Sequence, residues 1–175
     1  AVIHAMAGID IALWDIKGKF LNLPIYELMG GCFVDKMRVY SSNMFQYSIE
    51  DTVNRVKVAI DTGHTAVKFG WEPFGFDEEL DLKYVEAIRK QLGNNLDFML
   101  DVGLIWDAKT TVRRAKSYEP YNLFWIEEPL HPDNYHGYGI VSDKCIQHIA
   151  AGEEECSITG FKNLIDFGKI QGEIM

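Results

Sequence analysis

The 175-residue sequence predicts an α/β fold of the (β/α)8 TIM-barrel class, of which about the first five to six βα units are present. Three observations carry that prediction. Short apolar strand candidates alternate with amphipathic helix candidates about five times, which is the signature of parallel strands joined by helical crossovers. Asp101, Glu127 and Glu153 each stand at the carboxyl end of a strand candidate, and the two intervals between them are both 26 residues. Successive strand ends of a barrel converge at its C-terminal face, where active sites form; in an open doubly wound sheet they lie in a row. A single site needs convergence, which favours the barrel.

The elements follow in order. AMAGIDIALWDIKGKF (5–20) reads as a helix with Ile9, Leu13 and Ile16 as its apolar stripe and Gly18 as its stop. Asp10, Trp14 and Asp15 on it are expected to pack and cap. MRVYSS (37–42) is the first strand candidate. A helix then starts at the N-cap Ser48, presents Val53, Val56 and Ile60 on one face, and stops at Gly63. TAVKFG (65–70) is the second strand. Asp77 to Gly93 is the next helix, with Val85, Ile88 and Leu92 inward and Glu78, Glu79 and Asp81 in the first turn. LDFMLDVG (96–103) is the third strand, Asp107 opens a short helix, and LFWIEE (123–128) is the fourth strand. Asp133 opens a glycine-interrupted helix, HIAAGEE (148–154) is the fifth strand, and Ser157–Phe167 is a helix closed by Gly168. A sixth strand begins near Lys169. Because a barrel takes eight units and about 250 residues, both ends of the chain read as cut within a longer pattern.

Composition narrows the function classes. Apolar residues make up 47% and charged residues 25%, a globular rather than disordered balance. A net charge of −9 leaves no basic surplus for phosphates, so nucleic acid and anionic membranes are not expected partners. No apolar run is long enough to span a bilayer and no signal-peptide pattern is evident. Cys32, Cys145 and Cys156 are odd in number and widely spaced, which reads as free thiols in a reducing, cytoplasmic setting.

The strand-end residues carry the chemistry. Three carboxylates converging on one axis suit a hard divalent cation: Mg²⁺ takes about six oxygen ligands and leaves places for water or substrate. No histidine or cysteine joins them at a strand end, which disfavours zinc. A lone strand-end acid more often caps the next helix; three at equal spacing point to a metal. Lys68, at the end of the second strand, sits in the same layer and is the candidate catalytic residue, as base or electrostatic catalyst. Strand alternation separates the two glutamates of LFWIEEPL. Glu127 shares a face with Leu123 and Trp125 and is the ligand candidate, whereas Glu128 faces away and is expected to support the site, pairing with a neighbouring strand's lysine. Pro129 is expected to end the strand. Trp71 and Phe74 after the second strand, and His131 after the fourth, are candidates to line the substrate space. His4, His64, His136 and His148 fall outside the layer.

AGIDIALWDIKGK (7–19), FMLDVG (98–103), FWIEEP (124–129) and IAAGEE (149–154), in that order, resemble the enolase superfamily in its mandelate racemase and muconate lactonizing enzyme branch. The resemblance covers nearly the whole chain. It implies that residues 1–35 are a helical segment leading into the barrel, that 37–175 form a partial barrel, and that the capping domain and last strands lie outside this sequence. It also implies one Mg²⁺ held by Asp101, Glu127 and Glu153, and abstraction of the proton alpha to a substrate carboxylate through a metal-stabilised enediolate. A sugar-acid dehydratase or a racemase or isomerase of the mandelate racemase type is expected, acting on a small carboxylate. A homo-oligomer is also expected.

Two departures matter. Many relatives carry Lys-x-Lys at the end of the second strand, the second lysine acting as base; here the run is Lys68-Phe69-Gly70. Many have Asp-x-Asn on the third; here it is Asp101-Val102-Gly103. Lys68 is therefore expected to stabilise the substrate carboxylate, with the base elsewhere. The family's histidine base comes from strands beyond this stretch, so the stretch alone is expected to turn over weakly or not at all. Two other readings stand beside this one: a Schiff-base barrel aldolase using Lys68, and a non-catalytic barrel scaffold.

Overall fold

The computed structural model describes residues 2–170. They form two compact units: one runs to Arg38 and includes Cys156–Ile158, and the other comprises Val39–Glu155 with Thr159 onward.

The first unit carries α1 (Val2–Leu21) and α2 (Ile25–Leu28). Gly18 does not end α1. The helix runs one turn further and stops at Asn22, whose φ of 53° is left-handed. The amide of Asn22 donates to Lys19 O at 3.2 Å and that of Leu23 to Gly18 O at 3.0 Å, a paired closure of the last turn. Gly18 is needed for the return of the chain, because a Cβ there would lie 2.9 Å from Leu23 O. Ile9, Leu13 and Ile16 are solvent-facing rather than an inward stripe. Asp15 pairs with Lys19 at 2.6 Å along the helix, and Trp14 lies under the Lys17 ammonium.

The second unit is a five-stranded parallel sheet in sequence order: β1 (Ser41–Met44), β2 (Ala66–Gly70), β3 (Asp97–Asp101), β4 (Trp125–Glu127) and β5 (His148–Ala150). The crossovers are α3 (Ile49–Asp61), α4 (Glu78–Leu92), α5 (Ala108–Tyr118) and α6 (Tyr135–Lys144), and α7 (Ile158–Asp166) follows β5. These are consecutive βα units of a barrel. The helix-facing side chains of the sheet, Val67, Phe69, Phe98, Leu100, Ile126 and Ile149, join the main apolar core. The opposite face packs a smaller cluster of Ala66, Met99, Trp125 and Ala150 against Tyr40. Among the described residues no helix is long and apolar enough to cross a membrane.

Local chemistry fixes the helix starts. Ser48, Asp77 and Asp107 cap α3, α4 and α5 by accepting from the first-turn amides of Asp51, of Glu79 and Leu80, and of Thr110. The cap of α6 is Asn134 rather than Asp133, accepting from Gly137 N at 3.0 Å. Glycine at 137 is part of that cap, since a Cβ there would fall 2.4 Å from Asn134. The other glycine of this helix, Gly139, lets it approach Phe167 O, which would stand 2.4 Å from a Cβ. These glycines serve close contacts without breaking the helix.

Strand boundaries shift for long-range reasons. The first strand is Ser41–Met44, not 37–42: Ser41 pairs with Val67 and Met44 with Gly70. That register buries Phe45 against Phe69, Phe74 and Tyr84 and leaves Met37 and Val39 exposed. β4 ends at Glu127 because Glu128 turns to φ 39°, one residue before Pro129. β5 ends at Ala150. Where the sixth strand is expected, Lys169 and Ile170 carry no strand, and residues 171–175 lie outside the described residues.

Candidate functional site

The register defines one layer at the carboxyl edge of the sheet. Gly70 pairs with Asp101, Asp101 with Glu127, and Glu127 with Ala150. Lys68 stands one layer below, level with Met99 and Trp125, and points to the same face by alternation. Its side chain rises to the carboxylates: Lys68 Nζ donates to Glu127 Oε1 and lies 3.6 Å from Asp101 Oδ2. Three of the predicted site residues are thus brought together.

Each carboxylate is held by a second partner. Asp101 Oδ1 accepts from the amide of Gly103 at 3.0 Å, and Glu127 Oε2 accepts from Trp125 Nε1 at 2.9 Å. Sequence reasoning missed Trp125, although its place two residues before Glu127 puts both on one face. The loop after β3 is stitched to the end of β4, with the amides of Val102, Leu104 and Trp106 donating to the carbonyls of Glu127, Glu128 and Pro129 at 2.9, 2.8 and 3.0 Å. These bonds fix the relative positions of Asp101 and Glu127.

Gly70 has a steric reason to be glycine. A Cβ at that position would lie 2.6 Å from Asp101 Cβ and 3.0 Å from its Cγ, so the Asp101 side chain occupies the space over Gly70. Because the backbone fixes the Asp101 Cβ, a side chain at position 70 requires the ends of β2 and β3 to shift apart.

The electrostatics follow from burial. Glu127 is fully buried and Lys68 is 9% exposed. Burial alone pushes the Lys68 ammonium down, but the hydrogen bond to Glu127 and the charges of Glu127 and Asp101 outweigh it and raise its pKa. Burial pushes the Glu127 carboxyl up, opposed by the Lys68 hydrogen bond. A Schiff-base nucleophile needs a neutral amine; an ammonium committed to two carboxylates is the reverse, which disfavours the aldolase reading.

Glu128 departs from its expected partner. The nearby lysine is bound to Glu127, and Glu128 Oε1 instead accepts from the amide of Gly152 at 3.0 Å. Its own amide donates to Ala150 O at 2.9 Å. Burial, followed by the charges of Glu153, Glu154 and Asp101, lifts its carboxyl to about 7 despite the Gly152 amide.

Glu153 does not share the layer. Equal chain spacing is not equal register: Ala150 is level with Glu127, and Glu153 lies three residues further, exposed in the loop that turns at Gly152 with φ 130°. Among the described residues no group of three His, Cys, Asp or Glu side chains is gathered closely enough to hold a metal ion. Asp101 and Glu127 nevertheless suit a hard cation. They are two adjacent all-oxygen donors against one ammonium, a net charge of −1, and the ammonium already stands where a positive charge is stabilised. Phe74 is core, 1% exposed and stacked on Phe45, so it lines no site. His131 is exposed beside Asp133, outside the layer. Trp71 is exposed at the end of β2. Cys32, Cys145 and Cys156 form no disulfide among the described residues.

Comparison with known proteins agrees with this fold. The profile of a family described as "Enolase C-terminal domain-like" matches residues 51–172, and that of the "Mandelate racemase / muconate lactonizing enzyme, N-terminal domain" matches residues 1–30. The D-gluconate dehydratase of Thermoproteus tenax is 33% identical over 159 residues, covering 85% of this chain and 32% of that protein. The 3,6-anhydro-D-galactonate cycloisomerase of Zobellia galactanivorans superposes with a TM-score of 0.84 at 34% identity, over 96% of this chain and 46% of that one. An enolase from Bradyrhizobium, crystallised with magnesium and mandelic acid, gives 0.87 at 30% identity, over 99% and 47%. The chain spans less than half the length of each of these relatives.

Proposed function

Because the chain belongs to the mandelate racemase and muconate lactonizing enzyme group of the enolase superfamily, we propose that it carries the metal-binding half of an enzyme that removes the proton alpha to the carboxylate of a sugar acid. Dehydration of an acid sugar is the reaction we favour, with racemisation or cycloisomerisation as variants of the same first step. The relatives named as D-gluconate dehydratase and 3,6-anhydro-D-galactonate cycloisomerase support that substrate class. Cysteines outside disulfide bonds suit work in the reducing cytoplasm.

The observation that carries the reading is the meeting of Lys68, Asp101 and Glu127 at the carboxyl ends of β2, β3 and β4. Asp101 and Glu127 would hold Mg²⁺, with Glu153 as the third ligand from the loop after β5. When bound, the ion supplies a fixed positive charge that offsets the negative charge growing on the substrate carboxylate as the alpha proton leaves. Lys68, held protonated by its two carboxylates, orients the substrate carboxylate and keeps the site's charge in balance. Trp125 and the Gly103 amide hold Glu127 and Asp101 in place. The proton is taken by a base outside this group, since Gly70 offers none.

The test has two parts. Calorimetric titration of the EDTA-treated protein with Mg²⁺ is expected to show binding that Glu127→Gln abolishes and Glu128→Gln weakens less. The complete protein in D₂O with Mg²⁺ is expected to exchange the alpha proton of D-gluconate. Equal metal affinity in the two variants refutes the ligand assignment, and absence of exchange with any sugar acid refutes the reaction.

A further inference from the structure

Trp71 follows Gly70 at the end of β2 and adopts φ 68°. A bulky residue in the left-handed region costs about 1–2 kcal/mol, and such residues persist only where the surroundings impose them. The turn lays the indole across the carboxyl edge onto Gly103. The ring atoms Cε3, Cδ2 and Cζ3 lie 3.7, 3.9 and 3.9 Å from the point a Gly103 Cβ would occupy. Near-equal distances to three contiguous ring atoms mean that the ring presents its face to Gly103. Gly103 is the residue whose amide orients Asp101. One face of the indole thus covers the turn that aims a site carboxylate, and the residue remains 55% exposed to solvent.

The loop beneath this ring is firmly tied. Phe74 is buried in the aromatic core, the Gly75 amide donates to Asp81 at 3.0 Å, and Trp106 Nε1 donates to Gly75 O at 2.8 Å. An exposed aromatic face on an immobilised loop, beside a charged site, is a preorganised contact surface whose ordering cost is already met in the free protein.

We infer that Trp71 is a substrate platform, on whose open face the C–H side of a polyhydroxy acid stacks while the carboxylate of that acid is held at the Lys68, Asp101 and Glu127 layer. The inference rests on the proposed function and adds the residue that reads the carbon chain. An indole face suits this ligand, since the C–H groups of the chain meet the ring and its hydroxyls stay free to hydrogen-bond.

The test compares two probes, D-gluconate and glycolate, on the complete Mg²⁺-loaded protein and its Trp71→Ala and Trp71→Phe variants. Glycolate keeps the hydroxy-carboxylate and lacks the chain. Saturation-transfer NMR of gluconate is expected to be strongest on C–H protons remote from the carboxylate. Trp71→Ala is expected to weaken gluconate by about three- to tenfold, the scale of one aromatic contact, with Trp71→Phe restoring part of it and glycolate unaffected. An unchanged gluconate Kd in Trp71→Ala overturns the platform alone. Equal weakening of both acids also overturns it and assigns Trp71 to holding the Asp101 turn. Failure of the parent protein to bind either acid removes the proposed function together with the platform.

Discussion

Replacing Glu128 by Gln tests the electrostatics of the site most directly. Glu128 is buried, and its carboxylate accepts a hydrogen bond from the Gly152 amide. Its carboxyl lies at about 7 in the folded protein against an ordinary 4.5. The shift is upward, so the folded state binds the proton more tightly than the unfolded chain. The stabilisation is fully present below pH 4.5 and is lost as pH rises through about 7. A difference of this size corresponds to about 3 kcal/mol. Glutamine keeps an oxygen for the Gly152 amide and carries no charge at any pH. Metal-free parent and Glu128→Gln proteins are therefore expected to be equally stable near pH 4.5, with the variant ahead by about 3 kcal/mol at pH 8. Urea unfolding in EDTA at pH 4.5, 6, 7 and 8 measures the gap, and groups that titrate alike in both proteins cancel from it. A constant gap across that range, or one that closes as pH rises, refutes the argument.

Other substitutions probe separate links. Gly70→Ala sets a Cβ against Asp101 and is expected to cost about 1–3 kcal/mol, with weaker Mg²⁺ binding by calorimetry; a variant as stable as the parent and binding Mg²⁺ equally would show that Asp101 has room to move. Arg114→Met leaves Asp81 fully buried without its charged partner and is expected to cost about 3–5 kcal/mol in urea unfolding. The double variant Asp81→Leu with Arg114→Met is expected to recover most of that loss. Ser48→Ala removes the cap of α3 and is expected to cost about 1 kcal/mol, with no change in Mg²⁺ affinity.

Features set by neighbouring residues were legible in the sequence, and features set by distant ones were not. The caps Ser48, Asp77 and Asp107 bond to amides two or three residues away, so the letters alone place three helix starts. The first strand depends on where Phe45 finds aromatic partners at positions 69, 74 and 84, information absent from MRVYSS itself. The pairing of Asp101 with Glu127 was readable because both end regular strands. The level of Glu153, three residues past the partner of Glu127, was not legible because chain spacing counts the helix and loops as well as the strand, and register does not. Asp81 looked like an ordinary first-turn acid. It is instead buried on Arg114 and the Gly75 amide, and only tertiary packing decides that. Its Oδ1 and Arg114 Nε have no hydrogen-bond partner among the described residues, which marks the pair as a costly tie rather than a stabilising ornament.

The bond from Trp125 to Glu127 gives the protein an optical reporter of its own. The indole is buried, and its N–H is spent on the one carboxylate most central to the site. A cation that draws electron density from Glu127 weakens that acceptor, and indole emission is expected to follow the change. Occupancy of the site is expected to appear in the intrinsic fluorescence of unlabelled protein, over the emission of Trp14, Trp71 and Trp106. The residue that steadies the carboxylate also announces what the carboxylate is doing.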